Sequence, residues 1–518
     1  CDIGAIEMQP LSTVANLTIA DVIVDEALLS YAPNIKVIAR MSTGLSGVDI
    51  ETASKRGIIV MNTPGVSSIA AGEHTLTLML ALCRGLTAAH NSLKAGYWLL
   101  DRKQQAGTQL HGKTLGLIGL GRVGMIVAER CLAFGMRVLA FDPYLQESDI
   151  SDRRIQLVGL RDLLTDSDFI SLHVPLTAET KTLINPGTIS QMKQGVRLIN
   201  TSNGSVLDEN AVATAIKEGQ IVGVAVDVFA EEPPYNSPLI GLNNVIHTPH
   251  IGDNTIEATE NLSRQVVEQV LDALRDVDYR NVVNMPLRAG MDYEQVRPYL
   301  QLAEQIGVLQ YTLARNPVRR VAVEVRGEEL DGLLKPITVG ILQGMIAPSR
   351  DDAVSTINAP ILADEMGWYI TQAKELAAGH YSNTVTCQVT LADSETITIT
   401  GTLLDRKEPH IVQINQYRMN FVPGGHMLMI GSYDKPGVIG QLGTMLSEHG
   451  VNIASWHTGR AEQGGHTLTM LTMDEAIPDD VYEALSALDF IRHAHRLYIN
   501  SGEDARVYDR FAISDYTP

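Results

Sequence analysis

The chain has 518 residues, 45% hydrophobic and 19% charged, with a net charge of −20, which leaves room for three or four domains each with its own core. That acidic balance argues against a nucleic-acid partner, because phosphate binding needs a basic surface, and no apolar run of about 18 residues marks a membrane span. Cys1, Cys83, Cys131 and Cys387 show no CxxC spacing and no signal-peptide pattern precedes them, so the reading is free thiols in a reducing cytoplasm, with no disulfide or metal site.

Residues 17–63 carry short apolar segments, among them Ile35-Lys36-Val37-Ile38-Ala39 and Ile58-Ile59-Val60-Met61, between helical stretches at 25–31 and 50–56. This αβ alternation predicts a parallel sheet. A long helix is expected over 70–96, opened near Ser67-Ser68, stopped by Gly96 and bridging two lobes. Next comes Leu115-Gly116-Leu117-Ile118-Gly119-Leu120-Gly121-Arg122-Val123-Gly124, a buried-strand pattern that runs into a glycine-rich turn and a helix over 125–134. Gly119 suits the tight turn, Gly121 the close approach of backbone to a pyrophosphate, and Gly124 close helix–strand packing. The N-terminus of that helix supplies free N–H groups and a partial positive charge that favour phosphates.

A second strand ends at Asp142, 18 residues after Gly124. A carboxylate there accepts from a ribose 2′-OH and repels a 2′-phosphate, so NAD is favoured over NADP. Strands at 169–174, 196–200, 221–228 and 245–248 complete a six-stranded, doubly wound sheet with ligands expected at the strand C-terminal ends. A helix over 256–275 then returns toward the first lobe. The pattern breaks at 281–286, and residues 291–422 form an α/β stretch with no motif assignable by chemistry alone. Pro423-Gly424-Gly425 reads as a linker, and 426–500 as a βαββαβ ferredoxin-like unit that lacks a clustered acid, base and nucleophile.

Leu172-His173-Val174-Pro175, Asn200-Thr201-Ser202-Asn203-Gly204, Asp227-Val228-Phe229-Ala230-Glu231-Glu232-Pro233 and Thr248-Pro249-His250-Ile251-Gly252 lie at or beyond the predicted strand ends. With the glycine turn, they resemble the D-2-hydroxyacid dehydrogenase family. Ile357-Asn358-Ala359-Pro360 and the terminal Asp434-Lys435-Pro436-Gly437…Asn452-Ile453-Ala454 extend the resemblance to its long-form phosphoglycerate dehydrogenase branch. The resemblance implies an α/β chain in which a Rossmann-type NAD domain (89–262) is inserted in a flavodoxin-like substrate lobe (1–88, N-terminally short). A return helix and linker (263–286), an intervening domain (287–425), a ferredoxin-like ACT domain (426–500) and a tail (501–518) follow.

By the same resemblance, His250 exchanges the hydroxyl proton as hydride moves to or from nicotinamide, and Glu232 keeps it protonated in the reductive direction. Cofactor contacts fall on Gly119, Gly121, Arg122, Val123, Gly124, Asp142, His173, Pro175, Thr201, Asp227, His250 and Gly252, with Asp227 at the carboxamide. Ser42 and Gly44 occupy the substrate-anion loop. Asp434 and Asn452 match positions that bind an amino-acid effector, serine, across a subunit interface, so a homo-oligomer is implied; the local alternatives are that Asp434 caps the following helix and that Asn452 closes a turn.

The family's substrate-gripping arginine is replaced by Asn203, which lacks the charged fork for a carboxylate; the local alternative is that Asn203-Gly204 forms a tight turn. Losing such an anchor costs about 3 kcal/mol, about a hundredfold in rate. Ile19-Ala20 stands where phosphoglycerate dehydrogenases carry an Arg-Ser pair, and Ser42-Thr43-Gly44-Leu45-Ser46-Gly47 departs from the family's glycine loop. The resemblance therefore implies NAD-dependent oxidation of 3-phosphoglycerate, the first step of L-serine synthesis. The alternatives are a catalytically weakened NAD-binding homologue with a regulatory or assembly role, or a dehydrogenase for another 2-hydroxy acid.

Overall fold

A computed structural model of the protein describes residues 23–45, 47–98, 106–287, 291–350, 353–375 and 381–499. They form two compact units, one of residues 63–265 and one of residues 23–62 with 266–499. Ile19-Ala20 and Cys1 lie outside the described residues.

Residues 23–62 alternate helix and strand as expected: α1 (Glu26–Tyr31), β1 (Val37–Ala39), α2 (Ile50–Lys55) and β2 (Ile59–Met61). Asp25 and Asp49 cap the two helices by accepting from Leu28 N–H and Thr52 N–H, each at 3.0 Å. The strands pair in parallel, and Leu29, Ala53, Ile58 and Val60 bury their side chains between the layers.

In the first unit, α3 (Ser68–Arg84) and α4 (Leu86–Lys94) replace the single helix expected over 70–96. Gly85 takes a left-handed conformation (φ +55°) and its N–H closes on the Ala81 and Leu82 carbonyls, ending α3 before α4 starts. Then come β3 (Thr114–Ile118), α5 (Arg122–Ala133), β4 (Arg137–Phe141), β5 (Ile155–Leu157), α6 (Leu160–Asp166), β6 (Phe169–Leu172), α7 (Pro186–Ile189), β7 (Val196–Asn200), α8 (Glu209–Lys217), β8 (Ile221–Val226) and β9 (Val245–His247). Seven strands pair in the order β5-β4-β3-β6-β7-β8-β9, all parallel. The one beyond the six expected is β5, three residues at the sheet edge, too short for its apolar pattern to register. Leu115 to Ile118 of β3 are buried on both faces, as a sheet covered by helices on both sides requires. Strand order reverses between β3 and β6, so a crevice opens at their C-terminal ends, where the glycine turn lies.

The second unit resumes along α9 (Ile256–Leu274), where buried Gln269 donates to the Asn62 carbonyl at 3.0 Å. Asn284 accepts from Val60 N–H and donates to the Ile58 carbonyl and Ser54 hydroxyl, which stitches the returning chain to β2. Beyond it, α10 (Tyr293–Leu313), β10 (Val318–Arg326), α11 (Leu334–Ile346), α12 (Ala359–Glu365), β11 (Tyr369–Glu375), β12 (Thr384–Leu391), β13 (Thr396–Leu404), β14 (Glu408–Ile414) and β15 (Tyr417–Phe421) build a six-stranded sheet, ordered β11-β10-β12-β13-β14-β15. Helices α10 and α11 touch through Gly344, where a Cβ would stand 2.1 Å from the Glu304 carbonyl oxygen.

The last sheet, β17-β18-β16-β19, is the βαββαβ unit expected: β16 (Gly425–Tyr433), α13 (Val438–Glu448), β17 (Ile453–Arg460), β18 (His466–Met473), α14 (Asp479–Ser486) and β19 (Ile491–Ile499). The linker reading of 423–425 is corrected. Pro423 is buried with its carbonyl accepting from Gln305 Nε2 at 2.9 Å, and Gly425 already belongs to β16. Met427, Met429, Leu468, Met470 and Ile499 share one apolar core with α10 and the six-stranded sheet. A Pro-Gly-Gly run thus marks a turn between packed sheets rather than a free tether.

Candidate active site

The glycine turn is built by close approach. Gly119 has φ +92° and donates to the Phe141 carbonyl at 2.9 Å; a Cβ on it would lie 2.5 Å from the His173 carbonyl oxygen. A Cβ on Gly124 would lie 2.3 Å from the Gly119 oxygen, whereas a Cβ on Gly121 meets nothing within 4 Å. Two glycines are therefore required by packing, and the third faces open space. Gly121 is the N-cap of α5 and brings no side-chain acceptor, so the N–H groups of Arg122 and Val123 suit a dinucleotide pyrophosphate. Asp142 accepts from Leu120 N–H and Tyr144 N–H, each at 3.0 Å. This fixes the carboxylate at the end of β4 while each oxygen keeps a lone pair for a ribose hydroxyl. His173 and Pro175 follow β6. The His173 Nε2 lies 2.9 Å from Ser171 Oγ, and burial pushes its pKa down to about 4, so the ring is neutral near pH 7.

The loops leaving β7, β8 and β9 meet around Asp227. Its carboxylate is 1% exposed and accepts from Thr248 Oγ1 at 2.6 Å, Ile251 N–H at 2.9 Å and Gly252 N–H at 2.8 Å, while its backbone carbonyl accepts from His250 N–H at 2.8 Å. Burial alone would raise its pKa; the donors, with His74 the foremost, outweigh burial and bring it to about 2. His250, held at φ +53°, points Nδ1 at Glu232 Oε2, 2.8 Å away. An ionised carboxylate only accepts, so the hydrogen is on Nδ1 and Nε2 is left to exchange a proton with a ligand. Burial disfavours the imidazolium, but Glu232, and beyond it Asp227 and Asp253, win and raise the pKa above its ordinary value. Glu232 is held in turn by Phe229 N–H at 3.1 Å.

Asn203 sits on the neighbouring loop. Its Oδ1 accepts from Ser205 N–H at 3.0 Å, and its carbonyl accepts from Asn200 Nδ2 at 2.8 Å. The next residue, Gly204, presses onto the second loop, since a Cβ there would lie 1.9 Å from the Phe229 carbonyl carbon. The structure thus brings Asn203, Asp227, Glu232 and His250 onto adjoining loops of one unit. Thr201 Oγ1 is tied to Thr75 Oγ1 at 2.7 Å.

Ser42 and Gly44 belong to the second unit, where Ser42 Oγ donates to the Gly44 carbonyl at 2.8 Å. In the same unit, Asp434 does not cap α13, whose N-cap is Gly437 without a side-chain bond. It pairs with Arg460 Nε at 3.0 Å and accepts from Gly464 N–H at 2.9 Å. Asn452 donates to Asp474 Oδ2 at 2.5 Å.

Sequence reasoning passed over His74 and Thr75 and gave Thr248 no role beyond its place in the motif. His74 Nε2 lies 3.0 Å from Thr248 Oγ1 and 3.4 Å from Asp227 Oδ1. The available signal was a His-Thr pair among apolar residues of α3, ambiguous without knowing which face is buried.

Comparison with known proteins agrees with this layout. Residues 76–252 match the D-isomer specific 2-hydroxyacid dehydrogenase NAD binding domain, 295–415 the D-3-phosphoglycerate dehydrogenase intervening domain, and 426–490 the ACT domain. The chain is 36% identical over 463 residues to D-3-phosphoglycerate dehydrogenase of Bacillus subtilis, covering 89% of this chain and 88% of that one. With the Synechocystis enzyme of the same name identity is 37% over 473 residues, covering 91% and 85%. Among solved structures, D-lactate dehydrogenase from Aquifex aeolicus complexed with NAD and lactic acid is 35% identical, covering 49% of this chain and 81% of that one, with a TM-score of 0.45.

Proposed function

The chain belongs to the D-3-phosphoglycerate dehydrogenase family, and from that premise we propose that it oxidises 3-phosphoglycerate to 3-phosphohydroxypyruvate with NAD, the step that opens L-serine synthesis. The observation that carries the reading is the Glu232–His250 pair, 2.8 Å apart on the loops leaving β8 and β9, in the same unit as a glycine turn shaped for a dinucleotide. NAD, when bound, supplies the hydride acceptor. Gly121 and the N–H groups opening α5 would receive the pyrophosphate, Asp142 the ribose hydroxyls, and Asp227 the carboxamide. His250 Nε2 takes the hydroxyl proton as the carbonyl forms, and Glu232 stabilises the imidazolium that results. In the reverse direction the same nitrogen returns the proton.

Asn203 leaves the site without a guanidinium on this loop. The substrate carboxylate would then be met at this loop by the uncharged polar groups of Asn203. A slow enzyme is the consequence we infer from that departure. Asp434 and Asn452 stand at the positions through which an amino acid, serine in our reading, would regulate the chain. The edge strands of the last sheet among the described residues, β17 and β19, would offer strand pairing to a second copy, in line with a homo-oligomer. Among the described residues no helix is long and apolar enough to cross a membrane, and we place the reaction in the cytoplasm. The test is His250→Ala, which should abolish NADH oxidation with 3-phosphohydroxypyruvate while leaving NADH binding by fluorescence intact. Loss of both would assign His250 a structural role instead.

A further inference from the structure

We propose that His74 is a positioning residue: by donating to Thr248 it orients the Asp227 carboxylate, which clamps the 250–252 backbone and so places His250. The proposal rests on the reading of His250 as the proton-exchanging group.

The direction of the hydrogen bonds carries it. The Thr248 hydroxyl has one hydrogen, and at 2.6 Å from Asp227 Oδ1 that hydrogen goes to the carboxylate, which can only accept. Toward His74 Nε2, 3.0 Å away, the Thr248 oxygen must therefore accept, so Nε2 carries a hydrogen. The result is a one-way relay from α3 through Thr248 to Asp227, with the same His74 Nε2 also standing 3.4 Å from Asp227 Oδ1. Asp227 holds Ile251 N–H on one oxygen and Gly252 N–H on the other, so a rotation of the carboxylate loosens both. The residue between Pro249 and Ile251 is His250, in a left-handed conformation that a non-glycine residue adopts only against a cost of about 1 kcal/mol. Without the clamp that backbone would relax and carry the imidazole away from Glu232. Thr75, beside His74, reaches Thr201 at 2.7 Å, so one turn of α3 braces two of the loops that line the site.

A residue that merely fills the core would be indifferent to a hydrogen-bond donor at this position. The experiment compares His74→Leu, which removes the donor, with His74→Gln, which restores an N–H, and with Thr248→Val, which breaks the relay at its second member. For Leu and Val the expectation is a kcat about tenfold lower with KM for the oxo acid within about twofold, and amide exchange across 248–252 about ten times faster in the full-length protein. Gln should stay near wild type in both. Unchanged exchange in His74→Leu, or a Gln variant as impaired as Leu, would overturn the proposal. The exchange measurement needs no turnover, so it decides the role of His74 even if the wild-type protein proves inactive on 3-phosphohydroxypyruvate and the functional reading fails.

Discussion

Replacing Asp227 with Asn removes one oxygen from a carboxylate that is 1% exposed and accepts three hydrogen bonds. The amide that takes its place turns a donor toward Ile251 N–H or Gly252 N–H, leaving one buried N–H without an acceptor, a loss of about 1–3 kcal/mol. Linkage gives an independent figure. The Asp227 pKa is lowered from 3.8 to about 2, and at about 1.36 kcal/mol per pH unit this amounts to about 2.5 kcal/mol. Because the folded value is the depressed one, that stability is fully present above the unfolded-chain value and is lost progressively as pH falls from 3.8 through about 2. Both routes predict that Asp227→Asn destabilises the first unit by about 2 kcal/mol or slightly more, a fall in its Tm of roughly 5–10 °C. Calorimetry of the full chain at pH 7 and pH 5 should give the same loss at both, since the carboxylate is ionised in both states at both values. A loss below about 0.5 kcal/mol, or one that disappears at pH 5, would refute the account of this carboxylate as the clamp of the loop.

Three further outcomes can be stated. Glu232→Gln removes the charge that outweighs burial at His250; reduction needs the imidazolium, so activity is full below its pKa and lost above, and the variant's profile should fall off at lower pH. An unmoved limb in kcat/KM from pH 6 to 9 would remove Glu232 from that role. Asn203→Arg should raise kcat/KM at least about tenfold, as a restored charge-assisted anchor would, with little change in NADH affinity; no gain would mean that Asn203 is not what limits the rate or that the substrate is another acid. Asp434→Ala, which also frees Arg460, should erase inhibition by serine, and an unchanged inhibition curve would withdraw the effector assignment.

What could be read from sequence was what local rules dictate. Gly119 and Gly124 are fixed by atoms a few ångströms away, and a strand–glycine–helix pattern announces them before any packing is known. Strand runs such as Leu115 to Ile118 are apolar on both faces because the sheet is covered on both. Long-range partners were not legible. The Arg460 bond to Asp434 joins residues 26 apart, and nothing in the spacing of either favours it over the capping alternative for Asp434. Pro423 looks like a tether because proline and glycine punctuate loops, yet Gln305, 118 residues earlier, covers its carbonyl. The break at Gly85 was masked by apolar residues on both sides, since periodicity continues across a left-handed glycine. His74 is the clearest case: a histidine in a helix gives no hint of direction until Thr248 and Asp227 are beside it.

The measurement that bears most directly on the central claim is NADH oxidation by the purified chain with 3-phosphohydroxypyruvate, beside 2-oxoglutarate for comparison and an NADH-fluorescence titration. The account predicts NADH binding and turnover with the phosphorylated acid in preference to 2-oxoglutarate. Tight NADH binding with no turnover on either acid would contradict it and leave an NAD-binding sensor or scaffold in place of a dehydrogenase.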